Sequence, residues 1–388
     1  MALVNLLQRH EKFDDFFAST GDYTPPSLWM SASQSRMRHW AGAAPSYLWN
    51  IVSIGLAVSD WLPDETLFSL VSRQHCLSGN TTTSQTCREA FGLDRLGPEA
   101  NMLAVPGSFV VATRSRYGSA EEILMQHTVL PYYLPLASAK VRGDVWSSLT
   151  SEETSFFRYP MGQLTGRFCS HHPLKACAAC VADDQAVFGV AYWHRLHQLP
   201  SVWICPKHRS LLFECIRRQQ GGVWTSLCLP DPQYLRSPPA IAERDEKVFQ
   251  FVLRVAENSA GYIQCAPHLS LDRCRVGAVL AAQAIQLGAV GDVGKVDFHK
   301  CAQLLMQVPK VSSFFPELTA RYQGERHVVS MARRMFVSEF RLSVLHLLIA
   351  VSCMHGSWEA FLTAYQAQEC SGVENEKSRM QRAIRVFF

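Results

Sequence analysis

The chain has 388 residues, 48% of them apolar and 18% charged, which is enough to build two or three packed domains and too apolar for a disordered protein. Its formal net charge is only +4, so any grip on nucleic acid has to come from a local patch rather than from the whole surface. Thirteen cysteines, an odd number with no ladder of disulfide-like spacings, argue against a secreted scaffold and for a reducing compartment, the cytoplasm.

The start, Met1 to His10, lacks the basic flank and apolar core of a signal peptide. Tyr47 to Leu62 is apolar but interrupted by Asn50, Ser53, Ser59 and Asp60, too polar to span a bilayer, so no membrane partner is expected. Residues 1–60 are broken by Thr24-Pro25-Pro26-Ser27 and Ala43-Ala44-Pro45-Ser46 and read as a partly disordered extension. From Asp64, a plausible N-cap, Leu67, Leu70 and Val71 recur at helical spacing. Ser78-Gly79-Asn80 stops that helix, and Thr82 to Phe91 reads as a second. Two short helices across a tight turn with glycine suit a helix-turn-helix, with an ordinary helical hairpin as the alternative. In the second helix, Thr83, Gln85 and Arg88 are candidate DNA-contacting residues. Ser119-Ala120-Glu121-Glu122 is a capping-box pattern, Pro131 and Pro135 predict an extended connection, and Lys140 to Arg158 predicts further helix and loop.

Cys177-Ala178-Ala179-Cys180 and Cys205-Pro206-Lys207-His208 stand 24 residues apart. Thiolate sulfur and imidazole nitrogen are the donors zinc prefers, and four of them close a tetrahedral site. No carboxylate or open position is built into the pairs, so the spacing predicts one structural Zn2+ held by Cys177, Cys180, Cys205 and His208. Between the pairs, Val190 to Gln198 predicts a helix ended by Pro200. Gly221-Gly222, Pro230-Asp231-Pro232 and Ser237-Pro238-Pro239 then mark a boundary. Beyond it the pattern is helical. Val248, Phe249, Phe251, Val252 and Val255 make one face, and Val276, Val279, Leu280, Ala284 and Leu287 another. Phe340, Leu342, Leu345, Leu348 and Ile349 follow, with Ser357 as the cap of a last helix. Cys76, Cys87, Cys301 and Cys353 fall on apolar helical faces as core thiols. Arg36 to Arg38, Arg217-Arg218, Arg333-Arg334 and Lys377 to Arg385 are short basic clusters. Arg333 and Arg334, beside Phe336 and Phe340, are the preferred candidates for phosphate contact.

The run from His172-Pro173-Leu174-Lys175-Ala176-Cys177 through Tyr192-Trp193-His194-Arg195 and Leu199-Pro200 to Cys205-Pro206-Lys207-His208 closely resembles the TniQ/TnsD family of transposon target-selection proteins. Leu62-Pro63-Asp64-Glu65-Thr66-Leu67 resembles the family's opening motif, and His127-Thr128-Val129-Leu130-Pro131-Tyr132 a later one. His346-Leu347-Leu348-Ile349 and Gly356-Ser357-Trp358-Glu359-Ala360-Phe361-Leu362 are similar to the helical region of longer TnsD-like members. The resemblance covers residues 61–215 well and 320–365 loosely; residues 1–60 match nothing in it. It favours the helix-turn-helix over the plain hairpin, and it makes Cys169-Ser170-His171-His172 an unneeded extra donor set. Relatives with a second zinc module would need more than the isolated Cys215 and Cys228, and Cys265-Ala266-Pro267-His268 with Cys274 lacks a matching pair.

The resemblance implies a mainly α fold: an extension at 1–60, a helical domain with a helix-turn-helix-like segment at 61–165, a zinc-finger core module at 166–235, and a C-terminal helical domain at 236–388. It implies target-site selection in DNA transposition, by binding target DNA or an RNA-guided DNA-binding complex and recruiting an AAA+ ATPase regulator of the transposase. A second copy of the chain is a further candidate partner, and the setting would be the cytoplasm at the nucleoid. Alternatives are a stand-alone zinc-containing helix-turn-helix DNA-binding regulator, or a truncated remnant. No Gly-x-x-x-x-Gly-Lys-Ser/Thr loop occurs, and no nucleophile or paired carboxylate stands beside His194 and His197, so no enzyme activity is expected.

Overall fold

A computed structural model of the chain describes residues 60–92, 106–148, 173–216, 219–220, 223–224, 227–236, 245–291, 295–306, 315, 328–330, 332–333 and 342–370. Residues 1–59 of the expected extension, the pairs at 36–38 and 217–218, Arg334 and Lys377 to Arg385 lie outside them. The described chain is predominantly helical.

Helix α1, Leu67–Ser78, and helix α2, Thr83–Phe91, each end on a glycine with left-handed backbone, Gly79 at φ 74° and Gly92 at φ 68°. A residue with a Cβ is disfavoured there, so glycine is what lets the chain turn out of the helix. The Thr82 hydroxyl accepts from Gln85 N–H at 3.3 Å and opens α2. For α1 the cap is Thr66, whose hydroxyl accepts from Ser69 N–H at 3.1 Å, and not Asp64, which is used elsewhere. Helix α3, Pro106–Ala112, leads to α4, Ala120–His127, which carries the predicted capping box between Ser119 and Glu122. Pro131 and Pro135 do not force an extended connection. They are the second residues of two 3-10 turns, Leu130–Tyr132 and Leu134–Leu136, where a fixed φ and a missing N–H are tolerated because the first turn's N–H groups have no partner within it. Helix α5 is Ala139–Ser148.

The middle of the chain holds the short strands. Strands β1 (Lys175–Ala176), β4 (Phe213–Cys215) and β7 (Leu235–Arg236) form an antiparallel sheet with β4 central. Strands β2 (Ile204–Cys205) and β3 (Ser210–Leu211) form a hairpin, and β5 (Gln219–Gln220) pairs with β6 (Val223–Trp224). Helix α6, Ala178–Phe188, ends at Gly189, φ 72°. The helix expected over Val190 to Gln198 is reduced to one turn, α7, Arg195–Gln198. The residues before it run extended, because Glu65 and His194 form a β-bridge.

The C-terminal part packs α8 (Glu246–Cys265), α9 (Arg273–Gln286), α10 (Phe298–Leu304), α11 (Val344–Met354) and α12 (Trp358–Cys370). Val248, Phe251, Val252, Val255, Ser259 and Tyr262 bury one stripe of α8 at the three-and-four spacing of an amphipathic helix. Gly261 permits close approach: a Cβ there would lie 2.9 Å from Glu359 Oε1 and 3.3 Å from Trp358 Cδ1. Asn258 ties three helices, donating to Ser352 Oγ at 2.8 Å and accepting from Trp358 N–H at 2.7 Å. Leu287, expected on the buried face of α9, is exposed at the end of that helix. Ser357 accepts from Ala360 N–H at 3.2 Å.

Two large apolar cores result. The larger runs from Val129 and Tyr132 through Cys177, Cys180 and Cys205 into α8, α9, α11 and α12. The smaller joins α1 and α2 to Phe109, Ile123, Leu174, Trp193, Cys215 and Cys228. Cys87 and Cys301 are fully buried and Cys353 partly so, whereas Cys76, expected in a core, is exposed near the end of α1.

The seam is polar and buried. Thr66 N–H donates to Trp193 O at 3.1 Å, Trp193 N–H to Ser69 Oγ at 2.9 Å, and Tyr192 O–H to Pro63 O at 3.0 Å. Behind it Arg73 grips Glu65 with both prongs, Nε to Oε1 at 2.7 Å and Nη2 to Oε2 at 2.6 Å, and Leu62 N–H also donates to Glu65 Oε2. Arg73→Ala leaves that carboxylate buried and unpaired, a cost of about 3–5 kcal/mol, whereas Glu65→Leu combined with Arg73→Met costs far less. Urea unfolding of the two variants measures the difference; equal losses would refute the buried-pair account.

Candidate metal centre

Each of the four predicted ligands is delivered by a local turn. Cys177 is the N-cap residue of α6 and Cys180 lies in its first turn, so the two-residue gap aims both sulfurs the same way. Cys205 and His208 come from the β2–β3 hairpin, closed by Arg209 N–H donating to Cys205 O at 2.7 Å with Arg209 at φ 50°. The four donor atoms lie within 4.8 Å of one another, and the three cysteines are buried. His208 Nδ1 stands 3.5, 3.2 and 3.7 Å from the sulfurs of Cys177, Cys180 and Cys205, and Cys180 Sγ is 3.8 Å from Cys205 Sγ. A tetrahedral ion with bonds of about 2.3 Å to sulfur and about 2.0 Å to nitrogen needs edges of about 3.8 and about 3.5 Å. The cluster fits such an ion.

Surrounding groups set the orientation of these donors. Asp183 Oδ2 accepts from His208 Nε2–H at 3.2 Å and from Lys207 Nζ at 2.5 Å, which leaves Nδ1 to face the sulfurs. Ser210 Oγ is 3.2 Å from Cys177 Sγ. His197 is buried with Nε2 3.9 Å from Cys180 Sγ, and burial keeps its imidazole well below the usual histidine range, hence neutral. Hydrogen bonds from Cys180 and then Cys205 push the Cys177 thiol down, while those same contacts push Cys180 up, because three neighbouring sulfurs resist ionising together. Hydrogen bonds to Cys177 and then Cys205 raise His208 to about 10 against the effect of burial. A cation entering the cluster therefore displaces protons, and its affinity must fall as the pH falls.

Asp64 reaches the same region from the other end of the chain. At φ 57° it accepts Arg195 N–H on its carbonyl at 2.6 Å and Leu196 N–H on Oδ2 at 2.8 Å, capping α7. Lys175 is fully buried, donates from Nζ to Leu199 O at 2.9 Å and Val202 O at 2.5 Å, and sits 4.4 Å from the Trp203 ring. Sequence reading missed Asp183, His197, Ser210 and Lys175 as supports of the cluster. The one available signal was for Asp183, an acidic residue one helical turn beyond Cys180. Asp184 is buried and accepts from His194 at 2.9 Å, and Tyr192 stacks on His194 at 4.3 Å.

The other candidate residues are scattered. Thr83 is half-buried and its hydroxyl accepts from Leu227 N–H at 3.3 Å. Gln85 and Arg88 are exposed on α2, with Gln85 donating to Glu89 Oε1 at 3.3 Å. Arg333 is exposed with its guanidinium 5.7 Å from the Phe298 ring, beside Ala332 in the larger core. Cys169, His171 and His172 lie outside the described residues. Among the described residues the Cys177 cluster is the one group suited to a metal ion; Cys265, His268 and Cys274 do not form another.

The family model TniQ matches residues 59–212, from just before the Leu62 segment to just after His208. The chain carries a TniQ domain. Over 155 residues it is 24% identical to the Tn7 transposition protein TnsD of Escherichia coli, a match covering 39% of this chain and 30% of that protein. The chain thus aligns with about a third of the length of the curated relative it matches. All four donors, their support Asp183, and the Asp64 and Glu65 contacts fall inside the TniQ domain.

Purified protein is expected to hold one metal ion per chain by elemental analysis, and Cys180→Ser to lose it. Asp183→Ala should keep the fold but weaken metal binding about 10- to 100-fold in chelator competition. Unchanged affinity would show that His208 is not oriented by that carboxylate. Metal release on acidification should begin well above the pH at which the protein unfolds.

Proposed function

We propose that the chain is a target-selection adaptor in DNA transposition, non-enzymatic, with one structural Zn2+ at Cys177, Cys180, Cys205 and His208. The single observation that carries the reading is the TniQ match over 59–212, similar in sequence to a protein named for Tn7 transposition. The donor set of three thiolates and one imidazole supports zinc over harder ions, and its four filled positions support a scaffold over a catalyst.

In this reading the parts at 61–165, 166–235 and 236–388 act as one unit. The α1–α2 pair works as the helix-turn-helix, with Gln85 and Arg88 toward target DNA and Thr83 placing α2 against the zinc module. Arg333 and Arg334 supply phosphate contacts from the C-terminal part. The chain recruits an AAA+ ATPase regulator of the transposase and engages DNA directly or through an RNA-guided complex, at the nucleoid. No single described helix is long and apolar enough to cross a membrane.

The test pairs two measurements on the full chain: fluorescence anisotropy with DNA, and co-purification with an AAA+ ATPase transposition regulator from the same genome. With few basic contacts, binding should be modest, fall steeply with salt, and tighten when the ATPase is added. Gln85→Ala should change which sequence is preferred, whereas Arg333→Ala should weaken all sequences alike. Failure to capture the ATPase, with or without DNA, would overturn the adaptor reading.

A further inference from the structure

The turn between α3 and α4 is built at a conformational cost: its two left-handed residues end α3, with Arg114 N–H on Val111 O at 3.1 Å and Ser115 N–H on Val110 O at 2.8 Å. Among the described residues four that are not glycine have positive φ: Asp64, Arg114, Ser115 and Arg209. Asp64 uses its conformation to cap α7, and Arg209 closes the metal-binding hairpin. Arg114 at φ 52° and Ser115 at φ 59° are consecutive, in positions where glycine or asparagine would sit with less strain. Strain of this kind persists where the side chain displayed has a use.

That side chain is a guanidinium, and it has company. Arg114 and Arg116 are both exposed, and neither has a carboxylate partner among the described residues; Arg116 lies 5.7 Å from the Tyr117 ring. The backbone N–H groups of Arg114, Ser115 and Arg116 are spent internally, on Val111 O at 3.1 Å, Val110 O at 2.8 Å and Thr113 O at 3.2 Å. A ligand there meets side-chain charge rather than a backbone nest.

The turn is also held rigidly against the helix pair. Trp61 Nε1–H donates to Tyr117 O at 2.9 Å, and Gln74 of α1 donates to Tyr117 O–H at 2.7 Å. Phe109 packs on Phe91 of α2 and on Tyr117, each at 5.5 Å between ring centres. Two arginines with no carboxylate partner among the described residues, on a stiff turn beside α1 and α2, lose little entropy on meeting a polyanion. We propose that Arg114 and Arg116 form a phosphate clamp on the DNA backbone flanking the segment read by α2, an inference that rests on the DNA-binding reading above.

The test is the salt dependence of DNA binding by the full-length zinc-loaded protein, comparing wild type with Arg114→Gln/Arg116→Gln and with Arg114→Gly. The double variant should bind every sequence about ten-fold more weakly and flatten the log–log salt slope by about 2, at an unchanged melting temperature. Arg114→Gly relieves the backbone, so it should melt higher yet still lose about half of that slope change, which separates charge from fold. Wild-type affinity and slope in both variants overturn the clamp while leaving the DNA reading intact. Absence of DNA binding by the wild type overturns the DNA reading itself, and the clamp with it. Intact DNA binding with loss of ATPase capture in the double variant would assign the arginines to a protein surface and overturn the clamp.

Discussion

A buried crossing of two short segments, residues 62–66 with 192–196, holds everything else in register. It is a poor β-bridge by length but a dense one chemically. Main-chain bonds, the Asp64 carboxylate on α7, the Ser69 hydroxyl on Trp193 and the Arg73–Glu65 fork act within a few residues of one another. Low local dielectric makes each of these bonds strong when satisfied and expensive when orphaned, so the crossing closes as a unit or not at all. His127 joins the same knot, stacked on Trp61 at 3.4 Å and bonded to Glu65 O. Burial lowers it to about 4, so it stays neutral at ordinary pH and adds no further cation beside Arg73.

The metal cluster is placed where this crossing meets the larger core. Three of its four donors belong to the apolar cluster that contains α8 and α12, while the strand leading into it, at Leu174 and Ala176, belongs to the smaller one. The cluster therefore sits between the two halves of the protein rather than in an appended finger. Lys175 strengthens the joint by holding the carbonyls of the Pro200 turn and leaning on Trp203. A reading by sequence alone, which separates a module at 166–235 from its neighbours, has no means of seeing that shared packing.

What was legible followed from local rules. Glycine stops at Gly79 and Gly92, the Ser119 box, the stripe on α8 and the Ser357 cap depend on neighbours within one or two turns, and periodicity reports them directly. The four donors were legible because thiolates at that spacing have few other uses. What failed was decided at long range. Asp64 looked like a cap for the next helix and caps one 131 residues later. Val190 to Gln198 looked helical, but His194 is drawn into a bridge with Glu65 and only Arg195–Gln198 forms a turn of helix. Cys76 sat on an apolar pattern but is exposed near the end of α1. Of the supports of the cluster, His197 and Ser210 carry no pattern, because each meets its cysteine only once the chain has folded, and Asp183 is marked only by its place one turn beyond Cys180.

The span of the crossing sets an order on synthesis. Its bonds join residues 124 to 132 positions apart, so α1 and α2 leave the ribosome long before their partner strand exists. Closure of so distant a contact is slow relative to helix formation, and until it happens Phe68, Val71 and Phe91 have only one another and Phe109, Tyr117 and Ile123 to cover them, without Leu174 and Trp193. The nascent N-terminal part thus carries an unfinished apolar face. That face is completed only when the stretch through Leu196 emerges, so closure of this core is timed by translation rather than by helix formation.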